Sequence, residues 1–293
     1  MDSPTLLSKV NQSTKTKSKK KQVTLTQTIV APWGIWQSAD YRLTDPQTGE
    51  IVENWSHKYV SVLCKDGHAL ITYTGVARLT RNSPDLSDWL ADQLDGFAVT
   101  IPDTIKRIEE VASRHLTKYR IPHIFTIAAV IQGQPWAIEV ANVKLGIDWF
   151  DSIPEKSFRT YGEQVTDKPL VLVRGVREAI SAADWKLLHH ETKVRPRRAK
   201  KLVKLLAGVN KRAHDHELYG KHISPECWVA YMMPGLQGVR SKSFEWGNKN
   251  IPWRIATPAM LSFGLNMTAF GRRGNESLAE EVRKNKAAQN GTP

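Results

Sequence analysis

Four extended runs crowd into the first quarter of the chain, at about residues 24–31, 35–42, 58–65 and 68–74, and any fold has to seat them together. In Gly34-Ile-Trp-Gln-Ser-Ala-Asp40-Tyr-Arg42-Leu, a period of two puts Trp36, Ser38, Asp40 and Arg42 on one side of a strand. Ile35, Gln37, Ala39 and Tyr41 fall on the other. A carboxylate and a guanidinium on adjacent same-face positions would then sit side by side. Thr24 heads the run before, and Lys58 heads the run after. If these three strands are neighbours, a hydroxyl, a carboxylate and an ammonium converge on one sheet end. Asp66-Gly67 reads as a hairpin turn, since Gly accepts the positive φ that tight turns need. The turn-rich loop Thr44-Asp-Pro-Gln-Thr-Gly49 would overhang the Thr24 end, either as a cleft wall or as a plain surface loop.

Beyond residue 80 the periods change. Leu86, Trp89, Leu90 and Leu94 recur at helical spacing after Asp85. Asp103 is placed to cap a second helix carrying Ile105, Ile108, Ala112, Leu116 and Tyr119. The apolar runs Ile124–Ile131 and Trp136–Asn142 flank a Gln132–Pro135 turn and read as strands covered on both faces. A short strand follows at Leu170–Val173, behind Pro169. Two further helical stripes follow: Val176, Ala179, Ile180, Ala183 and Leu187, then Ala199, Leu202, Val203, Leu206, Val209 and Ala213. Ile223–Met233 reads as another strand, with Pro234-Gly235 as its turn. Strands, helix pair, strand pair, helix pair, strands is the order of an α/β/β/α four-layer sandwich. In it, two mainly antiparallel sheets pack face to face under helices. We expect that domain over 24–270, a basic leader over 1–23, and a polar tail over 271–293 with a short helix near Leu278–Lys284. Residues 244–270, with Trp246, Trp253 and Gly264, match no pattern.

The 293 residues are 41% hydrophobic, enough for one large domain with tails. The net charge is +13. The leader alone carries six lysines against one aspartate and is expected to be disordered. Arg195, Arg197, Arg198, Lys200, Lys201, Lys204, Lys211 and Arg212 make the last helix and its approach strongly basic. Such a face would suit phosphates, but no aromatic residues interleave with it and no nucleic-acid motif is present. A solvated face is therefore the preferred reading, with nucleic acid a disfavoured partner. Cys64 and Cys227 lie in apolar runs and read as buried free thiols, not as a disulfide framework. His189-His190, His214, His216 and His222 lack Cys or carboxylate partners at ligand spacing, so neither a metal nor any cofactor is called for. The ten tryptophans read as core filling. No run reaches the ~18 apolar residues of a membrane span, and Leu6-Leu7 is too little for a signal peptide. A cytoplasmic protein is the default expectation.

Thr24 at the head of the first strand, Asp40-x-Arg42 ending the second, Lys58 opening the third and Gly75 in the turn after the fourth resemble the N-terminal-nucleophile (Ntn) hydrolases, in their proteasome-like branch. The likeness runs through roughly 24–240. It implies the four-layer sandwich and hydrolysis of a peptide or amide through an ester on Thr24. It also implies a cut before Thr24, which frees an α-amine to act as base. Such an amine has a pKa of about 7.7–8.0 and is partly neutral near pH 7. Lys58 would lower that pKa and stabilise developing negative charge, Asp40 would orient Lys58, Arg42 would brace Asp40, and the Gly75 N–H would serve the oxyanion.

The chain departs from the family's pattern at three places. Val23, not Gly, precedes Thr24. Arg174-Gly175-Val176 stands where the family has Gly-Ser-Gly. The family's second Asp is matched only loosely by Asp215. A catalytically silent binding or assembly module with a basic leader is the alternative, and a homo-oligomer stays open under both readings.

Overall fold

The computed structural model describes residues 24–44, 50–80, 82–144, 153–193, 199–234, 238–246, 259–273, 277 and 280. The expected leader, all of Leu278–Lys284 except residue 280, Gly235, Trp253 and most of the Thr44–Gly49 loop lie outside them.

β1 (Leu25–Ala31) and β2 (Gly34–Asp40) form a hairpin with every residue buried. Their sequences alternate apolar with Thr, Gln and Ser, yet neither face meets water. One face turns to helices and the other to a second sheet. Some buried polar groups meet across this interior: Gln37 Nε2 donates to Thr28 Oγ1 and Thr72 Oγ1, both at 3.0 Å.

The first sheet has the order β10-β1-β2-β11-β12, with β10 (Leu170–Gly175), β11 (Cys227–Met232) and β12 (Arg240–Phe244). All its pairings are antiparallel. The second sheet has the order β14-β13-β5-β6-β7-β8-β9. It is built from β5 (Tyr59–Cys64), β6 (Gly67–Thr74), β7 (Ile124–Ile131), β8 (Gln134–Ala141), β9 (Arg159–Gln164), β13 (Ala259–Ser262) and β14 (Leu265–Asn266). Only β13 on β5 is parallel. A small hairpin, β3 (Leu43–Thr44) with β4 (Ile51–Glu53), links β2 to β5.

Three apolar clusters set the layers. Val30, Ile35, Tyr59, Leu70 and Trp228 fill the space between the sheets. α1 (Leu86–Leu94) and α2 (Ile101–His115) cover the outer face of the second sheet through Leu90, Leu94, Ile108 and Val111. α3 (Ala182–Lys193) and α4 (Ala199–His214) cover the first through Leu188, Leu202, Val203 and Leu206. This is the α/β/β/α sandwich expected from the order of elements. Cys64 and Cys227 are buried free thiols in different sheets. Among the described residues no helix is long and apolar enough to cross a membrane.

Several expectations need correction. The three strands headed or ended by Thr24, Asp40 and Lys58 are not all neighbours: β1 and β2 pair, while β5 lies in the facing sheet. Gly67 is not at positive φ; a Cβ there would stand 1.9 Å from the Val130 carbonyl oxygen, so close strand approach is what requires glycine. Asp103 is not the cap of α2. Thr100 is, accepting from Asp103 N at 3.2 Å. The stripe beginning at Val176 is no continuous helix. Residues Arg177–Ala179 form a single 3-10 turn, and α3 starts only after Ser181, whose Oγ accepts from Asp184 N at 3.0 Å. β9, β12, β13 and β14 were not foreseen.

Candidate active site

β2 ends at Asp40, and five donors close on that buried carboxylate. Oδ1 accepts from Lys58 Nζ at 2.8 Å, from Leu25 N at 2.9 Å and from Thr24 Oγ1 at 3.2 Å. Oδ2 accepts from Arg42 N at 3.0 Å and from Ser224 N at 3.3 Å. Lys58 Nζ also donates to Thr24 Oγ1. The threonine hydroxyl therefore donates a hydrogen bond to Asp40 and accepts one from Lys58. Asp40 is 0% exposed, Lys58 2% and Thr24 8%. A buried ion pair persists when further hydrogen bonds fill the remaining lone pairs, as they do here.

The cluster spans the sandwich. Thr24 and Asp40 come from the first sheet, and Lys58 comes from the lead-in to β5 in the second. Burial pushes the Lys58 ammonium below its ordinary value, and the Asp40 carboxylate opposes that shift. The segment ahead of Lys58 is pinned because His57 O accepts from Tyr73 Oη at 3.1 Å and from Ser87 Oγ at 2.8 Å. The link between Asp40 and Lys58 is tied down by Arg78, which pairs with both Glu53 and Asp85. Ser56 Oγ adds a 2.6 Å bond to Asp85.

Arg42 does not brace Asp40 with its side chain. The strand has already ended, so the period of two no longer holds. The Arg42 Nε donates to Asn54 Oδ1 at 2.9 Å, and Nη1 donates to Lys221 O at 2.6 Å. Its effect on Asp40 is through its own backbone N–H and through the Lys221–Ile223 turn, which leads directly to Ser224.

Gly75 leaves β6 at the end of the second sheet where Lys58 enters β5, since Tyr59 pairs with Thr72. Its φ is +118°, and a Cβ would stand 2.5 Å from His123 Nδ1. That nitrogen accepts from Val76 N at 3.0 Å, so a buried histidine holds the turn. Among the described residues no hydrogen bond joins Gly75 to Thr24. Asp215 is exposed just past α4 and has no bond to the cluster.

Sequence reasoning missed three supports. Ser224 reaches Asp40 by its backbone, which no side-chain pattern reveals. Gly175, at φ +86°, lets β10 close on Thr24: Val176 N donates to Thr24 O at 2.9 Å. A glycine in the Arg174-Gly175-Val176 stretch was the available signal. His123, alone before the apolar run of β7, was another.

No protein-family model and no curated protein match the chain. Solved structures do. One is the Anbu (Gly-1) mutant from Hyphomicrobium sp. strain MC1, at 13% identity and TM-score 0.51, covering 88% of this chain and 99% of that one. Another is Anbu (ancestral beta-subunit) from Yersinia bercovieri, at 12% identity and TM-score 0.50, covering 87% and 97%. Identity this low speaks for the fold alone: the chain shares the sandwich architecture of these two structures.

Proposed function

We propose that the protein is a proteasome-like threonine amidohydrolase or peptidase, active once the chain is cut before Thr24. The observation that carries this reading is the shared contact of Thr24 Oγ1 with Asp40 and Lys58. Thr24 Oγ would attack the carbonyl carbon of a peptide or amide. The ester C–O bond forms, the C–N bond breaks, and the hydroxyl proton passes by way of the freed α-amine to the departing amine. Water then opens the ester by the reverse proton path. Burial pushes the Lys58 ammonium below its ordinary value and Asp40 opposes that shift, so Asp40 favours the charged form beside the hydroxyl. Asp40 thus supports the charge that stabilises the developing alkoxide. Gly75 is assigned the oxyanion N–H from its turn at the same sheet end.

Intact mass of the purified protein tests the cut. A chain beginning at Thr24 that is esterified by a threonine-directed electrophile is the expected result. In that chain, Thr24→Ala and Lys58→Ala each abolish turnover of peptidyl amides while the protein still folds. An uncut chain inert to the electrophile overturns the reading. It would favour the second one, a silent module of the same fold. The specific observations behind that alternative are Val23 before Thr24 and Arg174-Gly175-Val176 where the family has Gly-Ser-Gly.

A further inference from the structure

The basic face of α4 divides into two flanks. Lys201 and Arg212 turn to α3 and pair with Glu191 and Asp184. Lys200, Lys204 and Lys211, at i, i+4 and i+11, share the other flank over ~16 Å of helix. That flank faces β12. Lys211 Nζ sits 4.9 Å from the centroid of Trp246, two residues beyond the strand.

β12 is the edge strand of its sheet, and its register fixes which side chains join α4. Arg240, Lys242 and Phe244 stand opposite Tyr231, Val229 and Cys227 of β11, the residues that pack toward the helices. Phe244 packs there as well, and Lys242 Nζ lies 5.1 Å from its ring. Two rows of cations therefore stand on the same helix-covered side of the first sheet, with Phe244 and Trp246 at the end of the strand row. Arg240 and Lys242 are spaced by about 7 Å along the strand. None of these five cations pairs with a carboxylate among the described residues. Trp246 is 43% exposed and is held at φ +46°, where a bulky non-glycine residue is rarely found. Backbone outliers of this kind concentrate at ligand-holding positions. Aromatic residues beside unpaired cations are what the α4 sequence lacked by itself; β12 and its continuation provide them.

We infer that the basic surface formed by α4 and β12 binds single-stranded nucleic acid, its phosphates along the lysine and arginine rows and a base stacked at Trp246. Regular cations offer the backbone a sequence-independent track, and an exposed indole accepts any base. An acidic polypeptide would use the same charges but has no need of the ring. This surface lies on the helix-covered side of the first sheet, so the inference stands apart from the chemistry assigned to Thr24.

The full chain is titrated with labelled oligothymidylate and oligouridylate at rising salt. Affinity is expected to fall steeply with salt. The double variant Lys204→Glu/Lys211→Glu, exposed on the helix and leaving the leader intact, weakens binding at least about tenfold. Trp246→Ala weakens it about tenfold at fixed charge. Circular dichroism of both variants matches the parent. No binding at low salt overturns the inference, as does binding unchanged in either variant. Poly-glutamate bound as tightly as the oligonucleotides, with no loss in Trp246→Ala, also overturns it and makes the partner an acidic chain.

Discussion

Gly175 lies so close under Thr24 that a Cβ on it would stand 1.8 Å from the Thr24 carbonyl oxygen. The φ of +86° and the Val176 N–H bond to that oxygen belong to the same contact. Gly175→Ala should therefore cost ~2 kcal/mol or more, because it adds a clash to a strained backbone. Thermal melting measures the loss, and labelling by a threonine-directed electrophile should fall with it.

The two charges of the buried pair are unequal in what they leave behind. Lys58→Met leaves Asp40 with four other donors. Asp40→Ala leaves three backbone N–H groups and an ammonium without their acceptor, and should cost about 3–5 kcal/mol. Denaturant unfolding should rank Asp40→Ala below Lys58→Met. The opposite order would mean that Asp40 is held by Lys58 alone.

His123 gives the fold an acid sensitivity. Burial pushes its imidazole down to about 3 from an ordinary value near 6.5. Between those values the unfolded chain binds a proton that the folded chain refuses. Stability is thus complete above pH ~6.5 and falls as pH drops toward 3, by about 1.4 kcal/mol per pH unit. His123→Phe should flatten this slope. It should also be less stable at pH 7, since Val76 N loses its acceptor. Unfolding curves from pH 7 to pH 4 check both effects.

Arg174 and Glu139 tie the two sheets together beside the Thr24 contact. Nε and Nη2 of Arg174 meet the carboxylate at 2.6 and 2.7 Å, and Glu139 is buried. Arg174→Met should destabilise by ~3 kcal/mol because it strands that carboxylate. Glu139→Met on the same background should recover part of the loss. A double-mutant cycle reads the coupling.

The sequence revealed the sandwich through its order of elements and through long apolar runs such as Ile124–Ile131. It concealed the strands that are polar throughout. β9 (Arg-Thr-Tyr-Gly-Glu-Gln) and β12 (Arg-Ser-Lys-Ser-Phe) are edge strands with mostly exposed side chains, so burial imprints no period on them. Thr24, Asp40 and Lys58 were named correctly as neighbours in space, though for a wrong reason: they meet across two sheets, not along one. Arg42 was misread because β2 stops at Asp40, and alternation beyond a strand end predicts nothing. Contributions made through backbone atoms, as at Ser224 and Val176, leave no mark in residue identity.

The split origin of the cluster sets a condition on the cut proposed before Thr24. Asp40 and Lys58 ride on separate halves of the molecule, so neither meets the other until those halves have closed. Any self-cutting before Thr24 that draws on this pair must wait for that closure. Under that proposal the cut would act as an internal proofreader, because a chain whose halves have not closed would keep its leader.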